Sequence, residues 1–377
     1  MKIVIASDSY KGSNTSLRVA ETIERGMRKV VSDLDIVKIP VADGGEGLVQ
    51  ALVPEKDKWI HLSVTGPMGA QLSAEYALMD EHTAVIEMAT ASGLPLVTGE
   101  KDPGRASTFG TGELMMDALK KGCRKLLIGI GGSATNDGGT AMAQALGARF
   151  LNAAGDEITP CGGNLDQIVS VDLSHMTSEL EDTEILVACD VDNPLCGEQG
   201  ASAIYGPQKG ATPGMVKVLD ANLAHLASVM EKASGKNLSE VPGAGAAGGL
   251  GFGLMAFCGA KLESGIDLVL DSLGFDEAIE GASLVITGEG KIDGQSVRGK
   301  VPVGIAARAK KKDLPVLAIC GDIGEGVSAL YDYGIDSVMS TVNAAMPLSE
   351  AMGRSSELLE EAAERAFRMI MIGKNLK

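Results

Sequence analysis

Residues 126–146 read LLIGIGGSATNDGGTAMAQAL: a short apolar run, a Gly-rich loop carrying Ser133, Thr135, Asn136 and Asp137, and then a helical pattern. An apolar run that breaks into Gly and Asp and resumes as a helix is one β-loop-α unit. The same grammar recurs outward from this stretch. Residues 3–6 lead to Asp8, Lys11 and Gly12, and residues 36–42 lead to Asp43, Gly44, Gly45 and Glu46. Residues 185–189 lead to Asp190, residues 284–286 to Gly288, Glu289 and Gly290, and residues 316–320 to Gly321 and Asp322. Repeated units of this kind build mostly parallel sheets with right-handed crossovers, and their loops gather where open α/β sheets bind ligands.

Helices are predicted over residues 113–121, stopped by Gly122, over 140–146, and over 303–310 behind Pro302. Residues 349–372 form an amphipathic, charged tail expected on the surface. Residues 59–97 differ. Their segments 73–79 and 83–88 alternate like antiparallel strands. The β-loop-α pattern returns after about residue 282. The expected organisation is a discontinuous domain of residues 1–65 plus 282–377, interrupted by an inserted α/β domain of residues 66–281.

The chain has 377 residues, 45% hydrophobic but only 3% aromatic, so its cores rest on aliphatic residues and Met. A net charge of −17 argues against nucleic acid or an anionic membrane as partner. Six Cys form no CxxC pair, and four His are scattered, which disfavours zinc and Ser-His or Cys-His catalysis. The apolar run in MKIVIASDS is too short for a signal peptide, and no stretch reaches membrane-spanning length. The expected location is the cytoplasm.

Four groups of residues are candidates to carry chemistry. Gly131, Gly132, Ser133, Thr135, Asn136 and Asp137 offer close backbone approach, donors and acceptors; the competing reading is an N-cap cluster. Residues 294–300 (GQSVRGK) fit G-x-x-x-x-G-K without the metal-ligating hydroxyl, so Lys300 sits either in a phosphate cradle or on a solvated turn. Gly243, Gly245 and Gly248 satisfy G-x-G-x-x-G, but Pro242 precedes them where a strand should, favouring close packing over a nicotinamide nucleotide. The acids Asp8, Asp43, Glu46, Asp190, Glu289 and Asp293 each follow an apolar run. If they share one sheet edge they need a cation among them, and Mg²⁺ with a nucleotide suits, with Lys11, Lys209, Lys291 and Lys300 supplying focused positive charge.

These motifs are colinear with a known family. Residues 5–13 (IASDSYKGS), 41–47 (VADGGEG), 111–119 (TGELMMDAL), 129–148, 189–197 (CDVDNPLCG, with Asn193), 205–211 (YGPQKGA), 243–251 and 286–300 resemble the bacterial type I glycerate kinases along nearly the whole chain. Tyr10 and Tyr205 stand where Phe is usual. The resemblance implies ATP-dependent phosphorylation of D-glycerate to 2-phosphoglycerate, a flavodoxin-like domain from both chain ends, a restriction-enzyme-like insertion and an active cleft between them.

Phosphoryl transfer needs an aligned acceptor, neutralised phosphate charge and a base. Asp190 or Asp293 is the candidate base, the other helping Asp43 and Glu46 to hold Mg²⁺, with Lys11 in the catalytic set. Residues 131–137 are expected to line the nucleotide or glycerate pocket, together with Asp8, Asn193, Gly288, Glu289 and Lys291. Lys209 and Lys300 are expected to contact phosphate or the glycerate carboxylate. Phosphorylation of the 3-hydroxyl or of another hydroxy acid, an NAD-dependent oxidoreductase and a non-catalytic receptor are the alternatives. Homo-oligomerisation is left open.

Overall fold

A computed structural model describes residues 1–42, 47–294, 296–297 and 300–375. The chain divides into two units, Met1–Asp43 with Ile266–Lys377, and Gly44–Gly265.

The first unit is built on a five-stranded parallel sheet in the order Ser337–Ser340, Val316–Cys320, Leu284–Thr287, Lys2–Ser7, Asp35–Pro40. Numbered along this unit the order is 2-1-3-4-5, that of a flavodoxin-like doubly wound sheet. Ile3, Val4, Ile5, Ala6 and Ser7 of strand Lys2–Ser7 are all buried because helices cover both of its faces, as a central parallel strand requires. One face carries Ile3, Ile5, Ile286 and Ile319 against the helices Ser16–Arg28 and Ser355–Asn375, whose Val19, Ile23, Leu359, Ala363 and Phe367 are buried there. The terminal helix is therefore half core. Gly26 lets the two helices close, since a Cβ there would lie 2.2 Å from the Glu360 carbonyl. Each fully buried Ile or Leu contributes about 1.5–3 kcal/mol, so this face anchors the unit. Helix Val301–Lys310 follows the Leu284–Thr287 strand and packs against the same sheet.

The second unit holds a six-stranded mixed sheet, Lys261–Glu263, Glu184–Ala188, Lys125–Gly129, Thr83–Glu87, Gln71–Leu78, Trp59–Thr65. The first four run parallel and the last two antiparallel, as the alternation in residues 73–88 predicted. Its core joins Tyr76, Ile86, Ile128 and Val187 to Leu114, Met115 and Ala118 of helix Phe109–Lys120, and to Leu250 and Leu254 of helix Ala246–Cys258. A second core forms under helix Pro213–Ser234, where Leu223, Leu226 and Met230 meet Phe150 and Phe257 packed edge to face at 5.8 Å.

Both expected domain boundaries move. Residues 47–65 belong to the inserted unit because Trp59–Thr65 pairs with Gln71–Leu78 through the tight Gly66 to Ala70 turn. Residues from Ile266 belong to the first unit: Arg308, only 10% exposed, binds Asp267, Asp271 and Asp276, and Gly304 leaves room for Ile266. A periodicity reading does not see either contact.

Candidate active site

In the first unit the sheet order reverses between Lys2–Ser7 and Leu284–Thr287, which pair directly from Ile3 with Leu284 to Ile5 with Ile286. Ligands bind beyond the carboxyl ends of strands at such a switch point. The loops leaving these strands are stitched together. Asp8 N–H donates to the Gly288 carbonyl at 3.0 Å, as does Ser7 Oγ at 2.9 Å, and Tyr10 Oη donates to the Ile319 carbonyl at 2.7 Å. Gly288 is sterically compelled, because a Cβ there would sit 1.9 Å from the Ile319 oxygen. The stitched loops wall a cavity of about 1160 Å³, lined by Asp8, Lys11, Glu289, Lys291 and Lys300 among others.

Glu289 is buried, and that burial pushes its carboxyl up while Ser296 Oγ, donating at 2.6 Å, and Lys300 Nζ at 3.4 Å pull it down. Lys300 thus starts an N-terminal helix turn while held by a carboxylate, between the phosphate-cradle and solvated-turn readings. Lys291 is exposed and 3.9 Å from Asp322. Asp293 is not among the cavity's lining residues; its N–H donates to Ser296 Oγ at 3.2 Å, and its Cβ lies where a Cβ on Gly324 would clash. Asp43 and Glu46, expected to hold a metal, lie outside the described residues.

In the second unit the 131–139 loop is stapled by Leu94 N–H to the Gly132 carbonyl at 2.8 Å and by Ala134 N–H to the Ser92 carbonyl at 3.0 Å. Gly131, Gly132 and Ser133 line a cavity of about 400 Å³ with Asp190, Tyr205, Gln208, Lys209 and the apolar Leu94, Ile130 and Ala246. Lys209 is 2% exposed. Its ammonium donates to Ser133 Oγ at 2.6 Å and to the Thr135 carbonyl at 2.7 Å. Burial lowers its amine to about 7, against the pull of Asp137. Two of its three N–H groups are spent among the described residues, leaving one for a ligand. Asp190 is exposed at the end of strand Glu184–Ala188 and accepts from Gly265 N–H at 2.8 Å.

The remaining loop residues do other work. Asp137 is fully buried and accepts from Thr108 N–H and Oγ, both at 2.8 Å, and from Gly139 N–H at 3.1 Å. It ties the starts of helices Phe109–Lys120 and Thr140–Ala145, while burial pushes its carboxyl up against those donors. Asn136 and Thr135 are also fully buried. None of the three is among the residues lining this cavity; Asn136 Oδ1 accepts from Ser202 Oγ at 3.1 Å, and Thr135 Oγ1 donates to the Ala247 carbonyl at 3.4 Å. Asn193 accepts from Tyr205 Oη at 2.6 Å and donates to the Gln199 carbonyl at 2.8 Å, so it holds the ring of Tyr205, which lines the cavity. The acids also divide: Asp8 and Glu289 follow strands of the parallel five-stranded sheet, and Asp190 follows a strand of the other sheet, so they do not share one edge. Local pattern places an acid beyond a strand but cannot say which sheet the strand joins.

The glycines of residues 243–248 are consumed by packing. A Cβ on Gly245 would lie 2.2 Å from the Pro194 carbonyl, and one on Gly248 1.9 Å from the Thr135 carbonyl. Residues missed from sequence are Tyr205 and Gln208, which sit inside the quoted YGPQKGA motif, and Ser340, Thr341, Val342 and Met352 at the larger cavity. For the last group the sequence carries only a weak signal, since Asp336 and Ser337 leave just Val338 and Met339 as an apolar pair before Ser340.

A flavodoxin-like switch point ringed by lysines and acids, and a small cavity walled by a buried lysine, define an α/β enzyme of phosphate and small-anion chemistry. The comparisons name it further. The glycerate kinase family model matches residues 3–371. A Bacillus subtilis (strain 168) protein called glycerate kinase is 49% identical over 379 residues, covering 100% of this chain and 99% of that one. The Escherichia coli (strain K12) protein called glycerate 2-kinase is 48% identical over 380 residues, covering 99% of each. A crystal structure of a candidate glycerate kinase 2 from Salmonella typhimurium LT2 superposes with TM-score 0.91 at 44% identity, over 100% of this chain and 99% of that one. The chain belongs to the glycerate kinase family, and is a phosphotransferase. Among the described residues no helix is long and apolar enough to cross a membrane.

Proposed function

We propose that this chain transfers the γ-phosphoryl group of ATP to the 2-hydroxyl of D-glycerate, in the cytoplasm and with Mg²⁺. The observation that carries this reading is Lys209: a buried ammonium in the wall of a 400 Å³ cavity that Asp190 also lines. A three-carbon hydroxy acid is small enough for that volume. Its carboxylate suits the one N–H that the buried ammonium has left, and a charge-assisted bond there fixes the acid's orientation. Asp190 is then the base that accepts the hydroxyl proton. Asp190 is preferred to Asp293 for that role because it lines the same cavity as Lys209. The choice of the 2-hydroxyl follows the 48% identical protein called glycerate 2-kinase.

The phosphates of ATP belong to the switch-point cavity, where the 8–13 loop brings Lys11 and the facing loops bring Lys291 and Lys300. Lys300, paired with Glu289 at 3.4 Å, is poised to exchange that carboxylate for a phosphate oxygen. Mg²⁺ commonly takes only one or two carboxylates, completing its shell with phosphate and water. Among the described residues no cluster of three or more His, Cys, Asp or Glu could hold a metal, and Asp8 with Glu289 matches the smaller requirement. The ion supplies charge neutralisation on the transferred group. The cytoplasmic assignment is supported by six free thiols.

Purified protein with Mg-ATP and D-glycerate should release ADP, stop on EDTA addition, and yield a phosphorus NMR spectrum of 2-phosphoglycerate. Turnover that survives EDTA removes the metal, 3-phosphoglycerate removes the regiochemistry, and no glycerate-stimulated ADP release removes the reading.

A further inference from the structure

Leu348 is 73% exposed, and Met352 and Ile323 are 39% exposed, yet all three line the same cavity of the first unit. Val342 and Met346 line it with them. Scattered single apolar residues on a surface need no explanation, but several converging on one cavity mark a binding surface. The rest of the lining is of a different kind, with Asp8, Lys11, Lys291 and Lys300 contributed by other segments. The cavity is therefore two-natured, charged where the loops beyond the strands enter it and apolar along residues 342–352.

These two linings are bound to each other. Asn14, at the end of the 8–13 loop and buried, donates from Nδ2 to Ser355 Oγ at 2.7 Å and accepts at Oδ1 from Ser356 Oγ at 2.8 Å. Met352 closes the same junction: Gly12 has a positive φ of 80°, and a Cβ there would lie 2.8 Å from Met352 Cε. The lysine-bearing loop and the apolar segment are thus held at a set separation, as a ligand with an anionic tail and an apolar body requires.

We infer that the apolar surface formed by Val342, Met346, Leu348 and Met352 seats the nucleoside of ATP, with Asn14 as the residue that positions it against the phosphate loop. The inference rests on the kinase reading above. Glycerate has no apolar body and would leave this surface wet. A nucleoside triphosphate presents both chemistries in one molecule, and at about 1160 Å³ the cavity has room for it.

Leu348→Asn and Met352→Ser, singly and together, remove apolar surface without adding charge, and their exposure lets the chain keep its fold, checked by circular dichroism. Binding of ADP and of inorganic tripolyphosphate is measured by calorimetry. The double variant should lose at least tenfold in ADP affinity while tripolyphosphate affinity changes less than twofold. Asn14→Ala should weaken ADP in the same sense, with Asn14→Asp, which still accepts from Ser356, losing less. An ADP affinity that stays within twofold in the double variant overturns the nucleoside seat and leaves the kinase reading standing. Equal losses for ADP and tripolyphosphate also overturn it, as does wild-type self-association that the double variant abolishes with ADP binding intact. If the wild-type chain binds neither ADP nor ATP, the kinase reading fails together with the seat.

Discussion

Replacing Lys209 with Met tests whether the buried amine titrates as its surroundings dictate. Burial lowers the amine from 10.5 to about 7 in the folded chain. Unfolded, it keeps its proton up to about 10.5. Between those values the unfolded chain binds the extra proton, so this group makes stability rise with pH from about 7 to about 10.5; below 7 its charge opposes folding in full. One pH unit inside the window is worth about 1.4 kcal/mol, and integrating from pH 7 to pH 9 gives roughly 2 kcal/mol. Met has no proton to lose. The bonds to Ser133 Oγ and the Thr135 carbonyl are lost at every pH, at a cost of about 1–3 kcal/mol, because the neutral amine can make them too. The stability difference between wild type and Lys209→Met should therefore move by roughly 2 kcal/mol in favour of wild type between pH 7 and pH 9. Urea unfolding followed by circular dichroism at the two pH values measures it. A difference that stays constant to within about 0.5 kcal/mol would refute the reasoning and mean that water or a neighbour keeps the amine charged. The kinetic counterpart follows the same proton. If the ammonium binds the glycerate carboxylate, wild-type kcat/KM for glycerate should fall about tenfold per unit above pH 7, and the variant's should be low and flat.

Three further outcomes are expected. Asp190→Asn should lower kcat by roughly 10²-fold or more, the scale of a lost general base, while the amide oxygen still accepts from Gly265 N–H and the fold persists; Asp293→Asn should leave kcat near wild type, and the reverse ranking would exchange their roles. Lys300→Met keeps the aliphatic stem, so the melting temperature should hardly move, whereas KM for ATP should rise about ten- to hundredfold; an unchanged KM would return Lys300 to the solvated turn. Gly248→Ala forces a Cβ to within 1.9 Å of the Thr135 carbonyl at a φ of 70°, and should cost about 3 kcal/mol or more in denaturant unfolding; a loss under 1 kcal/mol would show that the 135–138 backbone yields readily.

Much was legible along the chain because β-loop-α units and alternating strands are local patterns. Residues 3–6, 126–130, 185–189, 284–286 and 316–320 all lie on strands, allowing for a residue at the ends, and Asp8, Asp190 and Glu289 beyond them lie on loops, whereas Lys291 and Asp322 pair as two short strands. Period and punctuation report neighbours a few residues away, and those neighbours decide whether a strand forms. They do not say which strands pair. Lys2–Ser7 sits beside Leu284–Thr287 from the far end of the chain, because their buried faces share one core, and only that pairing makes Asp8 and Gly288 meet at a switch point. Burial was equally hidden. Asp137 and Ser133 are four positions apart in one Gly-rich loop, yet the first is enclosed between two helix starts and the second faces a cavity. Lys209 looks in sequence like any lysine before a glycine. What lowers its amine is the protein packed around it, and desolvation is a property of the assembled fold that no stretch of residues carries by itself.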